Sequence, residues 1–505
     1  MITRPHVFVL LLFCCAGWSY FGQESHSAET MLAGAAKVDI TDREAGPVHD
    51  PLYAKALVLR SGPQTAVLIT VDAVAIGEIG HIGNDYLPTV RKALQEDLGI
   101  DPQQVMANAS HCHGVVCDDV AQRTIEAVRR AVGRLEPVKV GVGIGHEDGI
   151  MENRRLRLKS GRTVDVRHAY SLPPNEEVAA VGPVDPEIGL LRLDRLDGTP
   201  LAVVFNFACH PIQGIPGGKN SADLSGIAAT VIEENLGHEA IALFVQGCGG
   251  DINPIDYKDV DHPRSAVPLG QTLGLSALHG IRKIECREDE RLNVIHETLT
   301  LPRADRTQRI FELEKEQERL VSSLGGTSLN LESFMHLMVK YNLAGEFPSS
   351  FSHRYMRDDA LKKDELRQLD LENLRNMQAY LKNIHTMEEL TRVRTNLNLL
   401  RKHQLDLQES GKRTIDVEMV GIRVGEFVLL TFPGELTVQI GLNLKSRSTH
   451  KPTFIAGYTN GYIYYAPTAD QLKNVGGAQE DSDCILDPRW QEQFETAALE
   501  LLERL

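Results

Sequence analysis

Val105-Met-Ala-Asn-Ala-Ser-His-Cys-His-Gly114 is an apolar run that opens into two histidines and closes on a glycine. Read as a strand, it sets His111 and His113 at i and i+2, on one face and about 7 Å apart. Neutral imidazole is the commonest side-chain ligand for transition metals, and it titrates near neutrality. The pair suits a site in which one ring holds a metal and the other handles a proton or the substrate. The plainer alternative is two histidines packed at a strand end.

The same pattern recurs downstream. Leu201-Ala-Val-Val-Phe205 runs on to Ala208-Cys-His210-Pro211, and 241–245 runs into Gln246-Gly-Cys-Gly-Gly-Asp-Ile-Asn-Pro254. A third apolar run, 427–431, leads to Phe432-Pro-Gly-Glu435. Each places a polar side chain or a glycine-rich loop just past a strand end, where α/β sheets hold their ligands. Leu57-Val-Leu59 and 67–71 read as further strands around the turn signal Ser61-Gly-Pro-Gln64. Helical faces lie between the strands: Val90, Ala93, Leu94 and Leu98, then Ile125, Val128 and Val132, then 227–236. The fold class is α/β, with mixed sheets covered by helices.

Composition shifts near Pro302. From 303 to 412 the chain is rich in Glu, Lys, Arg, Leu and Gln, and Leu374, Met377, Leu381 and Ile384 repeat like a packed helical seam. This reads as a helical insertion, with scaffold packing as its plain role and a lid or substrate-approach surface as the alternative. Strand character returns over 417–424 and 427–431, a helix over 436–444 and a strand over 453–456. The stretch Tyr458-Thr-Asn-Gly-Tyr-Ile-Tyr-Tyr465 follows, and a helix over 489–505 closes the chain, with Asp487 as its cap and Pro488 in its first position. The expected organisation is one catalytic domain, 31–302 with 413–505, interrupted by the insertion at 303–412 and without a separate C-terminal β-sandwich.

A chain of 505 residues is too long for one simple core. Its net charge of −16 argues against nucleic acid, whose phosphates need a basic footprint. Residues 1–28 read as a signal peptide: Arg4 gives positive charge, Val7 to Ala16 is a short apolar run, and Gln23-Glu24-Ser25 is polar. That run is too short to span a bilayer, so export is expected. Phe13-Cys14 lacks the small residue that normally precedes a lipidated cysteine. Cys112, Cys117, Cys209, Cys248, Cys286 and Cys484 follow the leader, their pairing open. Cys209 adjoins His210 and is a candidate for a role at the site.

Histidines from two strands and one carboxylate would satisfy a catalytic zinc, which brings the pKa of a bound water to about 7 and polarises a carbonyl. That is the chemistry of amide or ester hydrolysis. Other signals point elsewhere. Gly141-Val-Gly-Ile-Gly145 reads as a glycine-rich strand rather than a dinucleotide loop, and no Gly-x-Ser-x-Gly elbow stands between a strand and a helix. The sequon Asn108-Ala-Ser110 abuts the histidine pair and reads as buried. Asp72 is a candidate to orient a histidine, or simply a turn residue, and Asp223 reads as a helix cap.

In order, these blocks resemble the neutral, non-lysosomal ceramidases. Residues 33–72 resemble the family's entry segment, Ser110-His-Cys-His-Gly114 its Thr-His-Thr-His-Ser, and Asn153-Arg154 its Asn-Arg pair. Phe205-Asn-Phe-Ala-Cys-His210, Gly250-Asp251, Pro433-Gly-Glu435 and Asn460-Gly-Tyr-Ile-Tyr-Tyr465 complete the series. The resemblance covers most of 33–300 and 415–500. It implies Zn2+ held by His111, His210, Glu435 and Tyr465, with His113 contacting substrate and managing the proton of the attacking water. It also implies that Arg154 holds polar groups of the substrate head.

Three departures stand out. Asn253 occupies the place of a family serine, and either it or a tyrosine is a candidate to stabilise the oxyanion together with zinc. A second family tyrosine is missing near Gly477-Ala478, with Tyr462 or Tyr464 available to replace it. The chain also ends without the family's immunoglobulin-like domain. The implied function is an exported zinc hydrolase of N-acylated lipids or similar acyl amides, with peripheral membrane contact and no obligate protein partner. A non-catalytic binding protein on this scaffold, or a metal hydrolase of other esters and amides, are the alternatives.

Overall fold

The computed structural model describes residues 1, 30–166, 173, 175–214, 220–257, 259, 261–343 and 353–505. The expected leader, 1–28, lies outside them apart from Met1. Runs of apolar and β-branched residues form one eight-stranded sheet in the order 241–246, 200–207, 187–195, 136–146, 32–39, 53–61, 64–71, 105–109. The outermost pair at each end is parallel and the inner pairs are antiparallel.

Across the middle, only Leu32 and Ala33 pair with Pro137 and Glu136. The sheet hinges at this narrow join, and its two end strands come together: the Gln246 backbone N–H donates to Asn108 Oδ1 at 2.9 Å. A second sheet, Leu292–Pro302, Thr414–Val424, Phe427–Thr431 and Thr453–Ala456, packs onto the same core. Leu57, Leu68, Leu193, Leu243, Leu429 and Phe454 meet there, each fully buried or nearly so. Burying one such side chain contributes roughly 1.5–3 kcal/mol, so this shared core is what keeps the hinge closed.

Helices cover the outer faces. Tyr86–Leu98 and Val120–Val132 pack on one half of the large sheet, and Asp223–Leu236 and Val267–Ile281 on the other. Val438–Arg447 and Trp490–Glu503 cover the smaller sheet. The glycine-rich run 141–145 lies within strand Glu136–His146.

The stretch expected as an insertion, 303–412, holds among its described residues helices Thr307–Ser323, Leu331–Leu343, His353–Ala360 and the 46-residue Glu365–Ser410. At 1.5 Å per residue the last runs about 69 Å. The predicted seam is only partly buried. Met377 is covered, whereas Leu374 is exposed; burial concentrates further along, at Val393, Leu397, Leu400 and Leu407. That half of the helix docks with Leu313 and Leu320 onto the core around Trp490, so the apolar stripe follows the docked end.

Two expected caps differ. Asp223 sits inside its helix at φ +57°, and its carboxylate accepts the N–H groups of Gln213, Gly214 and Leu224, so it folds back the loop after His210. Asp487 braces the turn ahead of the last helix by accepting from the Arg489 N–H. The six cysteines among the described residues are all free thiols. None of the described helices is long and apolar enough to cross a membrane.

Candidate metal centre

The closing of the hinged sheet brings the strand ends together. Strand Val105–Ala109 stops two residues before His111, which adopts φ +68°, a left-handed conformation uncommon for a residue with a side chain. The two histidines therefore do not share a strand face. His111 turns into the interior and His113 stays exposed, their ring centroids 5.6 Å apart.

His111 Nδ1 lies 2.6 Å from the Val74 carbonyl oxygen, and His210 Nδ1 lies 2.9 Å from that of Ile252. A carbonyl only accepts, so each Nδ1 carries a hydrogen and donates. Each Nε2 is thereby left to face the third member, Glu435. His210 Nε2 is 3.1 Å and His111 Nε2 3.6 Å from Glu435 Oε2. One ligand atom from each of the three lies within 4.8 Å of the others, and all three side chains are buried.

Three atoms with lone pairs facing one point need a cation among them, either a proton or a metal. Zinc, with ligand bonds of about 2.0–2.2 Å to nitrogen and oxygen, fits such spacings, and the carbonyl bonds preset the tautomer that coordination requires. Burial alone would raise the Glu435 carboxyl. Where protons supply that cation, the charges of His111 and His210, with hydrogen bonds from His210 and Tyr462, outweigh it and hold the group well below its ordinary range.

Two phenols complete the support of Glu435. Tyr458 Oη donates to Oε2 at 3.1 Å and Tyr462 Oη donates to Oε1. Burial and the Glu435 charge push both hydroxyls well above the usual tyrosine range, so they remain donors. Of Tyr462 and Tyr464, Tyr462 reaches Glu435, whereas the Tyr464 ring packs edge-on against His403 at 4.6 Å. Tyr458 was not singled out from the sequence. Its signal was local: a tyrosine directly after Gly457, at the mouth of an apolar strand.

Tyr465 stands opposite Glu435 in the parallel pair Glu435–Leu436 with Tyr465–Ala466. Its hydroxyl takes a hydrogen bond from Arg154 Nη2 at 3.2 Å. Arg154 itself is wholly buried. Its guanidinium also donates to the Gly250 carbonyl and to Asn253 Oδ1 at 3.0 Å, and its Nε lies 2.6 Å from Glu480. Arg154 and Asn253 are thus buried neighbours, and Arg154 links the Asn253 amide oxygen to the Tyr465 hydroxyl.

Asp72 is buried and accepts from the Tyr53 N–H at 2.9 Å and from Ser110, so it props the His111 loop through Ser110 and leaves the imidazole to Val74. Asp251 accepts the Val438 N–H at 2.8 Å, tying the 246–254 loop to the helix after Glu435. Cys209 donates to the carbonyl of His210, and burial pushes its thiol well above the ordinary range. It stands outside the ligand group. Asn108 is fully buried, with both amide donors committed to Gly457 and Thr459.

No family model matches the chain, and no curated protein does. Among solved structures it is similar to the neutral ceramidase of Pseudomonas aeruginosa, with a TM-score of 0.59 and 16% identity over 94% of this chain and 75% of that one. A ceramidase complexed with C2 gives a TM-score of 0.58 and 15% identity, over 94% and 76% of the two chains. At this identity the likeness speaks for architecture, and it spans nearly the whole chain: this protein has the fold of the neutral ceramidases.

Proposed function

We propose that the chain is a zinc-dependent hydrolase of acyl amides, with an N-acylated, lipid-like molecule as substrate. The observation that carries this reading is the convergence of His111 Nε2, His210 Nε2 and Glu435 Oε2, with both tautomers set by backbone carbonyls. Tyr465 is the fourth ligand in this reading, as the resemblance implies. Zinc held there supplies an acidified water and a Lewis acid for the carbonyl.

The chain's own residues do the rest. Tyr458 and Tyr462 fix the Glu435 carboxylate and keep it ionised. Arg154 orients the Tyr465 hydroxyl and is itself held by the Asn253 amide oxygen. His113, exposed next to His111, is the group that reaches the substrate and delivers a proton to the leaving amine. The leader at 1–28 supports export.

A test is hydrolysis of a panel of N-acyl amides, ceramides included, by wild type, His111→Ala and His113→Ala. Turnover in wild type, its loss in His111→Ala and a drop of roughly 10²–10⁴ in His113→Ala are expected. Undiminished turnover in His111→Ala would refute the reading. One observation favours a second reading, a binding protein on the same scaffold: the Asn253 amide, standing where the family has serine, is locked to Arg154. Tight ligand binding by the zinc-loaded protein without turnover would support it.

A further inference from the structure

The long insertion helix reaches the metal centre through buried charge. Between the two lies a short turn, Gln479–Ser482, followed by Asp483. On its inner side Glu480 pairs with Arg154 at 2.6 Å, both wholly buried, and Arg154 in turn donates to the Tyr465 hydroxyl. The Tyr465 backbone N–H donates to the Asp483 carbonyl at 3.1 Å.

On its outer side the same turn is gripped twice by helix Glu365–Ser410. His403 Nε2 lies 2.7 Å from Asp483 Oδ1, and its ring packs against Tyr464. Arg392 Nη1 donates to the Asp165 carbonyl at 3.2 Å and lies 3.4 Å from Asp165 Oδ2, which accepts the Gln479 N–H at 2.8 Å. Asp165 is the register partner of Arg155, whose guanidinium binds Asp481. Arg392 and His403 stand eleven residues apart, close to three whole turns, so both grips issue from one face of one rigid element.

We propose that the helical insertion is a brace for the metal centre: through His403 and Arg392 it fixes the 479–483 turn, and that turn holds Tyr465 in ligand position. Arg392 and His403 are positioning residues, acting through Asp165, Gln479, Asp483, Glu480 and Arg154. Apolar packing alone would let the turn slide. Buried polar partners do not, because a displaced hydrogen-bonding group or charge is left without its partner. The brace rests on the reading of Tyr465 as a zinc ligand.

The test uses the full chain and zinc itself. The double variant Arg392→Met with His403→Leu keeps bulk but removes both grips. Zinc affinity is measured by competition with a chelating dye, and phenol ionisation by ultraviolet difference absorbance on zinc addition, with Tyr465→Phe as the reference lacking that signal. Leu320→Ala, in the same insertion and the same apolar core, controls for general destabilisation.

The expected result is zinc binding weakened roughly tenfold or more in the double variant, with the ionisation signal reduced. Restoring Arg392 alone should recover part of both, while Leu320→Ala lowers Tm and leaves both intact. Wild-type affinity and signal in the double variant would overturn the brace, as would an equal loss in Leu320→Ala. Zinc bound by wild type without any phenol signal overturns the brace alone. No zinc bound by wild type overturns the metal reading and the brace together.

Discussion

His210 and Glu435 are 225 positions apart in sequence, yet His210 Nε2 lies 3.1 Å from Glu435 Oε2 inside the protein. The hinge between Ala33 and Glu136 makes this meeting possible, since it folds one half of the large sheet toward the other. Everything around the pair is support: Ile252 behind the imidazole, Tyr458 and Tyr462 behind the carboxylate.

The tyrosine pair gives the first prediction. Tyr462→Phe and Tyr458→Phe each remove one hydroxyl from Glu435 and should weaken zinc binding roughly tenfold to a hundredfold with little change in fold. Tyr464→Phe should leave zinc affinity unchanged. Titration of the apo-proteins against a competing chelator decides this. Equal affinities in all three variants would show that the carboxylate needs no such support.

Gly250→Ala is expected to act through the backbone. A Cβ there would fall 2.5 Å from the Glu435 carbonyl oxygen and 2.9 Å from that of Leu436. Neither can yield without moving the ligand strand. The variant should lose zinc affinity as well as Tm, whereas Gly161→Ala, which meets nothing nearby, should affect stability only modestly and through its φ of +85°. Thermal melts run with and without zinc separate the two effects.

Burial raises the Asp72 carboxyl from its ordinary 3.8 to about 6, against the pull of Lys55 and the Tyr53 N–H. The folded state therefore binds this proton more tightly than the unfolded chain does. Its contribution to stability is full below pH 3.8 and is lost as pH rises through about 6. Asp72→Asn has no such loss, so its stability relative to wild type should climb between pH 4 and 6, by on the order of 3 kcal/mol, and stay flat above about 7. Urea denaturation across that range measures it, and a pH-independent difference would contradict it.

Asn108 joins three segments: strand Val105–Ala109, the end of strand Ile241–Gln246 and the loop at Gly457 and Thr459. Asn108→Ala strands the Gln246 N–H, leaves the Gly457 carbonyl to the Thr459 hydroxyl alone, and should cost roughly 1–3 kcal/mol. For the same reason the sequon should carry no glycan when the protein is made in a glycosylating host. Peptide mass spectrometry of the 105–123 region checks this. A glycan on folded protein would mean that the seam is open.

Much of this arrangement was legible in the sequence because strand ends announce themselves. The apolar runs before His111, His210 and Glu435 are continuous, and a side chain just past such a run lies at the rim of a sheet. What the local pattern could not carry was geometry set at a distance. His111 departs from the extended form because the Ser110 turn is held by Asp72 and the ring by Val74, neither of which is near it in sequence. The complete burial of Arg154 depends on partners remote in sequence, Glu480, Gly250, Asn253 and Tyr465, which no local pattern announces. The seam expected around Leu374 failed for a similar reason: the repeat was real, but the partner surface lies under the later part of the helix.

The most direct measurement is elemental analysis of purified protein after dialysis against buffer with trace zinc, for wild type, His210→Ala and Glu435→Gln. Convergence of these side chains on a common cation predicts about one zinc per chain in wild type and near-complete loss in both variants, each with retained secondary structure. Wild-type protein without zinc, or variants that keep it in full, would contradict that convergence.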